Sequence, residues 1–227
     1  MTTNKQNETT RAQLRAAIVA IAPVVMLAGF LYHPFIAVLP DSAAVAAAVT
    51  ADESHWALSH LLIGAGSGIL LLAFLAIRSY LREAGEERWS AIAVPFVVLG
   101  STLFALLPAM EIGLLGGARA GADLAAAQDA LQPWFLPTLL SGSFLFVLGV
   151  VGFAVAIAQS GILPTGMTWL VVTALIVMGI ARLVPLGVVQ FYAGGIAGIV
   201  ALWPLTYVMW QQRAARLVKP SPPIQAT

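Results

Sequence analysis

Cysteine is absent from this 227-residue chain, so disulfides, thiolate metal sites and covalent c-type haem attachment are excluded. Charge is nearly as scarce. Asp, Glu, Lys and Arg make up 9% of the residues, against roughly 25% in a soluble domain, while 60% are apolar. Residues 16–40, 56–77, 89–110, 130–181 and 183–212 carry no formally charged side chain. Since roughly 20 apolar residues cross a hydrocarbon core of about 30 Å, the four shorter runs are one span each. The run 130–181 is too long for one helix and contains two turn-forming clusters, Gln159-Ser160-Gly161 and Pro164-Thr165-Gly166. It therefore divides into a fourth span over residues 135–157 and a fifth over 167–185. The predicted fold class is all-α, a polytopic membrane bundle of six transmembrane helices. Residues 14–217 form the membrane domain, flanked by a mobile cytoplasmic N-terminus, 1–13, and a mobile proline-rich cytoplasmic tail, 218–227.

The few basic residues set an orientation. With both termini cytoplasmic, Lys5, Arg11, Arg15, Arg78, Arg82, Arg88, Arg213, Arg216 and Lys219 lie inside and only Arg119 and Arg182 outside, as the positive-inside rule requires. The localisation predicted is the bacterial cytoplasmic membrane. These basic residues are spread over loops at the membrane surface, so no nucleic-acid role is expected. The first apolar core runs about 24 residues, against 7 to 15 for a signal peptide, and is read as a retained helix.

The first two outer loops carry helix signals. Asp41 or Ser42 can cap a short Ala/Val helix ending near Thr50, and Thr50 with Glu53 makes a capping-box pattern at the start of the second span. Asp123 opens a similar segment in the next outer loop. Each is followed by a tryptophan, Trp56 or Trp134, placed where an indole suits the membrane interface. The glycine pairs Gly64/Gly68, Gly117/Gly121 and Gly194/Gly198 are read as helix-packing faces, which also admit oligomerisation.

Ionisable groups within spans are costly, and are functional, paired or snorkelling. Four occur: His33, His60, Glu111 and Arg182, all in the outer third of their helices. If the first helix runs to Leu39, His33 lies roughly 9 Å below its end, and His60 roughly 6 Å below Trp56, so the two can meet at one depth. Pro34 removes the donor to the Phe30 carbonyl and is expected to open the helix beside His33. His55 lies about 140° round the helix from His60 and is read as interfacial. Glu111 and Arg182 are candidates for a structural ion pair, and Arg182 alone for a snorkelling residue. Tyr32, Thr138, Ser141, Ser143 and Gln190 extend the polar set. The inner half is nearly devoid of polar side chains, which argues against a continuous hydrophilic path and hence against an ion channel.

Four functions suit this pocket. His33, His60 and Glu111 form a two-His, one-carboxylate metal set for zinc, copper or iron, with Asp41 or Asp52 as outer partners. His33 and His60 as cofactor-binding residues can instead ligate a haem axially. Arg182, with Tyr32 and Gln190, can hold an anionic or lipid-like small molecule for binding or transport. An intramembrane enzyme acting on a lipid-linked substrate, with a His and Glu111 as acid and base, is the least favoured. An accessory subunit without chemistry stands beside these. At His33-Pro34, Asp41 and His55-Trp56-Ala57-Leu58-Ser59-His60, the chain resembles uncharacterised small multi-span bacterial membrane proteins with an HP, acidic, HWxxxH first hairpin. The resemblance covers residues 29–66. It implies a membrane location and a role for His33 and His60, and transfers no activity.

Overall fold

The computed structural model describes the backbone of residues 2–218 and the side chains of residues 10–211. It is all-helical: α1 (Thr2–Tyr32), α2 (Ser42–Ala51), α3 (Glu53–Glu83), α4 (Arg88–Ile112), α5 (Leu114–Arg119), α6 (Leu124–Ser160), α7 (Thr165–Ala181) and α8 (Gly194–Val218), with a π-helical turn at Val188–Ala193 leading into α8. Among the described residues the only β-type pairing is an isolated antiparallel bridge between Val38 and Leu186. Five stretches are long and apolar enough to cross a membrane: Thr10–Tyr32, Glu53–Glu83, Arg88–Arg119, Leu124–Ser160 and Val188–Gln211. The expected fifth span, α7, has 17 residues and is shorter than these.

Carboxylates start three of the helices, as their preference for the N-cap position dictates. Asp41 accepts the Ala44 amide at 2.9 Å and Asp123 the Ala126 amide at 3.1 Å. The expected capping box at Thr50 and Glu53 does not form. Asp52 caps α3 instead, accepting the His55 amide at 2.9 Å, while the Thr50 hydroxyl turns back to the Ala46 carbonyl at 2.8 Å. Asp41 and Asp52 are thus engaged as caps rather than as outer partners of a metal.

Two helix boundaries differ from expectation. The short helix after Asp123 does not end before the next span but continues into it as α6, passing through Pro133 and Pro137. Each proline forfeits one backbone donor without forcing a break, and α2 braces this stretch: Ser42 donates to Asp129, and Gln132 to Ser42 at 3.0 Å. Conversely, Pro34 ends α1 rather than kinking it. The amide of His33 makes the last helical bond, to Gly29 at 2.9 Å, and the chain then crosses the bundle end as an extended strap. Leu39 donates to the Pro185 carbonyl at 3.1 Å and Gly187 to the Ala37 carbonyl at 3.0 Å. A side chain at 187 has no room, because its Cβ would lie 2.1 Å from the Ile36 oxygen.

The main core runs along the interior faces of the long helices, around Phe74, Phe146 and Phe153. A second cluster, Ile36, Val45, Val49, Trp56, Leu114 and Leu124, ties α2 and α5 onto the bundle as a cap. At the opposite end Arg15 pairs with Glu83 at 2.6 Å. There Glu86, just before α4, accepts the backbone amides of Trp89 at 2.6 Å and Ser90 at 3.2 Å. Burial alone would raise its pKa, but hydrogen bonds from Ser90 and Trp89 and the nearby Arg78 guanidinium hold the carboxyl below its ordinary 4.5. A depressed folded-state pKa stabilises above the unfolded value, and that contribution is lost as pH falls through the folded one. Glu86→Ala is expected to cost about 1 kcal/mol, as loss of a helix N-cap does. Unfolding curves at neutral pH and below the folded-state pKa of Glu86 check this, since the difference between variant and parent should shrink in acid.

Candidate metal centre

The chemistry-bearing side chains gather beneath the cap. His33 lies just past the end of α1, His60 two turns into α3, and Glu111 in the last turn of α4. One donor atom from each lies within 4.8 Å of the others, and among the described residues this is the group of His, Asp and Glu side chains arranged to hold a metal ion. The two imidazoles have ring centroids 4.8 Å apart. His60 Nε2 is 2.8 Å from Glu111 Oε2, with the His60 side chain 1% exposed and that of Glu111 15%.

Backbone carbonyls fix the tautomers. His60 Nδ1 is 2.7 Å from the Trp56 carbonyl, and His33 Nδ1 is 2.7 Å from the Pro34 carbonyl. A carbonyl only accepts, so both Nδ1 atoms carry protons. In each neutral ring the lone pair then resides on Nε2. Anchoring of one ring nitrogen on a carbonyl is the usual support of a metal-ligating histidine. His60 Nε2 thereby faces the Glu111 carboxyl.

Trp56 is a wall of this site and not an interfacial anchor. It is fully buried, its centroid 4.1 Å from that of His60 and 5.5 Å from that of His33. Its Nε1 donates to the Glu111 carbonyl at 3.1 Å, tying α3 to the end of α4. The signal was present as the i, i+4 spacing of Trp56 and His60 on one helix face. Trp134, by contrast, is 73% exposed. Phe191 also escaped notice. The π-helical turn brings its ring to 5.1 Å from His33 and also carries Gln190, in keeping with the frequency of such turns at functional sites.

A cavity of about 60 Å³ adjoins the three donors, lined by Phe30, Ile36, Leu39, Phe104, Leu107, Phe135 and Gln190 among others. It has room for an ion and a few waters. Axial haem ligation requires a porphyrin between two rings that approach its iron from opposite faces. Centroids 4.8 Å apart and so small a cavity leave no space for one.

The remaining expected site residues divide. Gln190 lines the cavity, although its amide Nε2 is committed to the Arg182 carbonyl at 3.1 Å. Tyr32 is 44% exposed and packs its ring at a tilt against that of His55, whose Nε2 donates to the Tyr32 carbonyl. It does not line the cavity beside the three donors. Thr138 is half-buried and donates to the Trp134 carbonyl at 2.7 Å, Ser141 is exposed, and Ser143 is buried against the Arg182 carbonyl. Arg182 neither pairs with Glu111 nor snorkels. Glu111 is engaged with His60, and Arg182, 7% exposed, is inserted between the rings of Phe104 and Phe146.

No protein-family model, curated protein or solved structure matches the chain. The functional reading therefore rests on the chemistry of the centre itself.

Proposed function

We propose that this is a membrane-embedded metal-binding protein in which His33, His60 and Glu111 hold a divalent transition ion. The observation that carries the reading is the pair of histidines whose Nδ1 protons are both tied to backbone carbonyls while a carboxylate completes a cluster within 4.8 Å. Ligands 2.0–2.2 Å from zinc stand about 3.3–3.6 Å apart in a tetrahedron. The His60–Glu111 contact has to open slightly, and the widest separation, at most 4.8 Å, to close by about 1 Å. Two imidazoles and a carboxylate suit zinc best, then copper or iron. Three protein ligands leave the fourth position for water from the adjoining cavity. Metal analysis of protein purified without chelator is expected to give one ion per chain. Absence of bound metal, together with no rise in melting temperature on adding zinc, copper or iron(II), would refute the proposal.

The membrane setting supported by composition is the bacterial cytoplasmic membrane, with the metal centre near its outer face and both termini cytoplasmic. Six crossings keep that arrangement: the 17 residues of α7 fall at the short end of the range that spans a bilayer, and without α7 the basic residues Arg213, Arg216 and Lys219 would emerge outside, against the positive-inside rule. In this cysteine-free chain, Ala51→Cys and Ala84→Cys both introduce exposed thiols. An impermeant maleimide applied to intact cells is expected to label position 51 and spare position 84. The reverse pattern overturns the orientation.

A further inference from the structure

Arg182 is a buried charge that the metal centre does not use. Its guanidinium carbon sits 3.6 Å from the Phe146 ring centroid and 4.2 Å from that of Phe104. Its backbone carbonyl receives Ser143 and Gln190, yet among the described residues the guanidinium makes no hydrogen bond or ion pair, and Nη1 is buried without a partner. Ring faces supply only a partial negative charge. A guanidinium stays protonated in proteins, and a buried charge calls for a counter-charge.

That counter-charge does not come from Glu111. Its carboxyl is engaged by His60 Nε2 at 2.8 Å, and among the described residues no carboxylate pairs with Arg182.

We infer that Arg182 marks an anion site in the bundle interior, separate from the metal centre, that takes a monovalent anion of halide size. A small cavity of about 20 Å³ is lined by Arg182 together with Met26, Phe30, Gln190, Gly194 and Gly195. It offers space for about one water-sized particle, which admits a halide and excludes phosphate or a lipid head group. Its lining is apolar apart from Arg182 and Gln190, so an anion there is dehydrated and held by the guanidinium. Phe30 and Gln190 line this cavity and the one beside the metal centre, making them the partition between the two.

The test uses the full-length protein in detergent at constant ionic strength, with gluconate replaced stepwise by bromide. The melting temperature is expected to rise saturably, by about 3–6 °C when bromide stands at tenfold its dissociation constant. Arg182→Gln should abolish the rise. Bromine anomalous scattering from wild-type crystals should give a peak within contact distance of the Arg182 guanidinium, which decides the matter even if the variant does not fold. No rise above gluconate, an equal rise in the variant, or no peak at saturating bromide overturns the assignment. The titration is repeated after chelator treatment. A rise that persists supports a site independent of the metal, and one that disappears places the anion on the metal and overturns the inference while leaving the metal reading intact.

Discussion

His60→Ala and His33→Ala are each expected to lower metal affinity by more than about 100-fold while the protein still folds. A supporting group costs 10- to 100-fold when lost, and a direct ligand costs more, because a dication left with one imidazole and one carboxylate must be completed by water. Folding survives because the Glu111 side chain is 15% exposed rather than sealed in the core. Trp56→Phe keeps an aromatic ring against His60 but loses the indole bond to the Glu111 carbonyl, so it belongs in the 10- to 100-fold class. His55→Ala removes a contact to the Tyr32 carbonyl and leaves the centre alone. Equilibrium dialysis with radioactive zinc, alongside unfolding curves, separates the three classes. If both histidine variants bind zinc as tightly as the parent, the three donors do not form the site.

The trio itself was legible because ionisable residues are so rare in these apolar helices that four at one depth stand out. The structural reason they meet was not. A helix continued to Leu39 was expected to bring His33 beside His60. Instead α1 stops at Tyr32, and a strap pinned to Pro185 and Gly187 folds over the site. A proline after a helical run is compatible with either a kink or an end, and only the distant pairing with residues 185–187 decides. Trp56 was misplaced for a related reason. Tryptophan near a helix start suits the interface generically, but here α2 and α5 cover that end and bury it. The Glu111–Arg182 pair failed because charge complementarity along a sequence says nothing of azimuth, and an imidazole was the nearer partner. The helical class, the cap helix Ser42–Ala51 and the turn at Gly161 all follow local rules and were readable. The continuity of α6 depends on its contact with α2 and was not.

Glycine gives the sharpest contrast between pattern and packing, and with it the second large effect. The Gly64/Gly68 spacing predicts a close helix contact, yet a Cβ at Gly68 would meet nothing within 4 Å, and one at Gly64 only the Pro108 Cβ at 4.0 Å. The close approach lies elsewhere, between α4 and α6, the most extensively packed pair of helices. A Cβ at Gly100 would fall 2.6 Å from the Phe146 nitrogen and 2.8 Å from the Gly142 oxygen, and one at Gly149 would fall 2.7 Å from the Val97 nitrogen. Those obstacles are backbone atoms, so relief requires the two helices to separate. Gly100→Ala is therefore expected to destabilise by about 3 kcal/mol, the upper end of ordinary overpacking. Gly68→Ala, free of any clash, should be neutral or stabilise by up to about 1 kcal/mol through helix propensity. Because α4 carries Glu111 and the Phe104 ring on Arg182, Gly100→Ala should also weaken metal binding, and Gly68→Ala should not. Reversible unfolding in mixed micelles, with zinc affinity measured on the same samples, reads both effects. Equal stability losses at positions 68 and 100 would mean that the α4–α6 contact is not the close crossing on which the position of Glu111 depends.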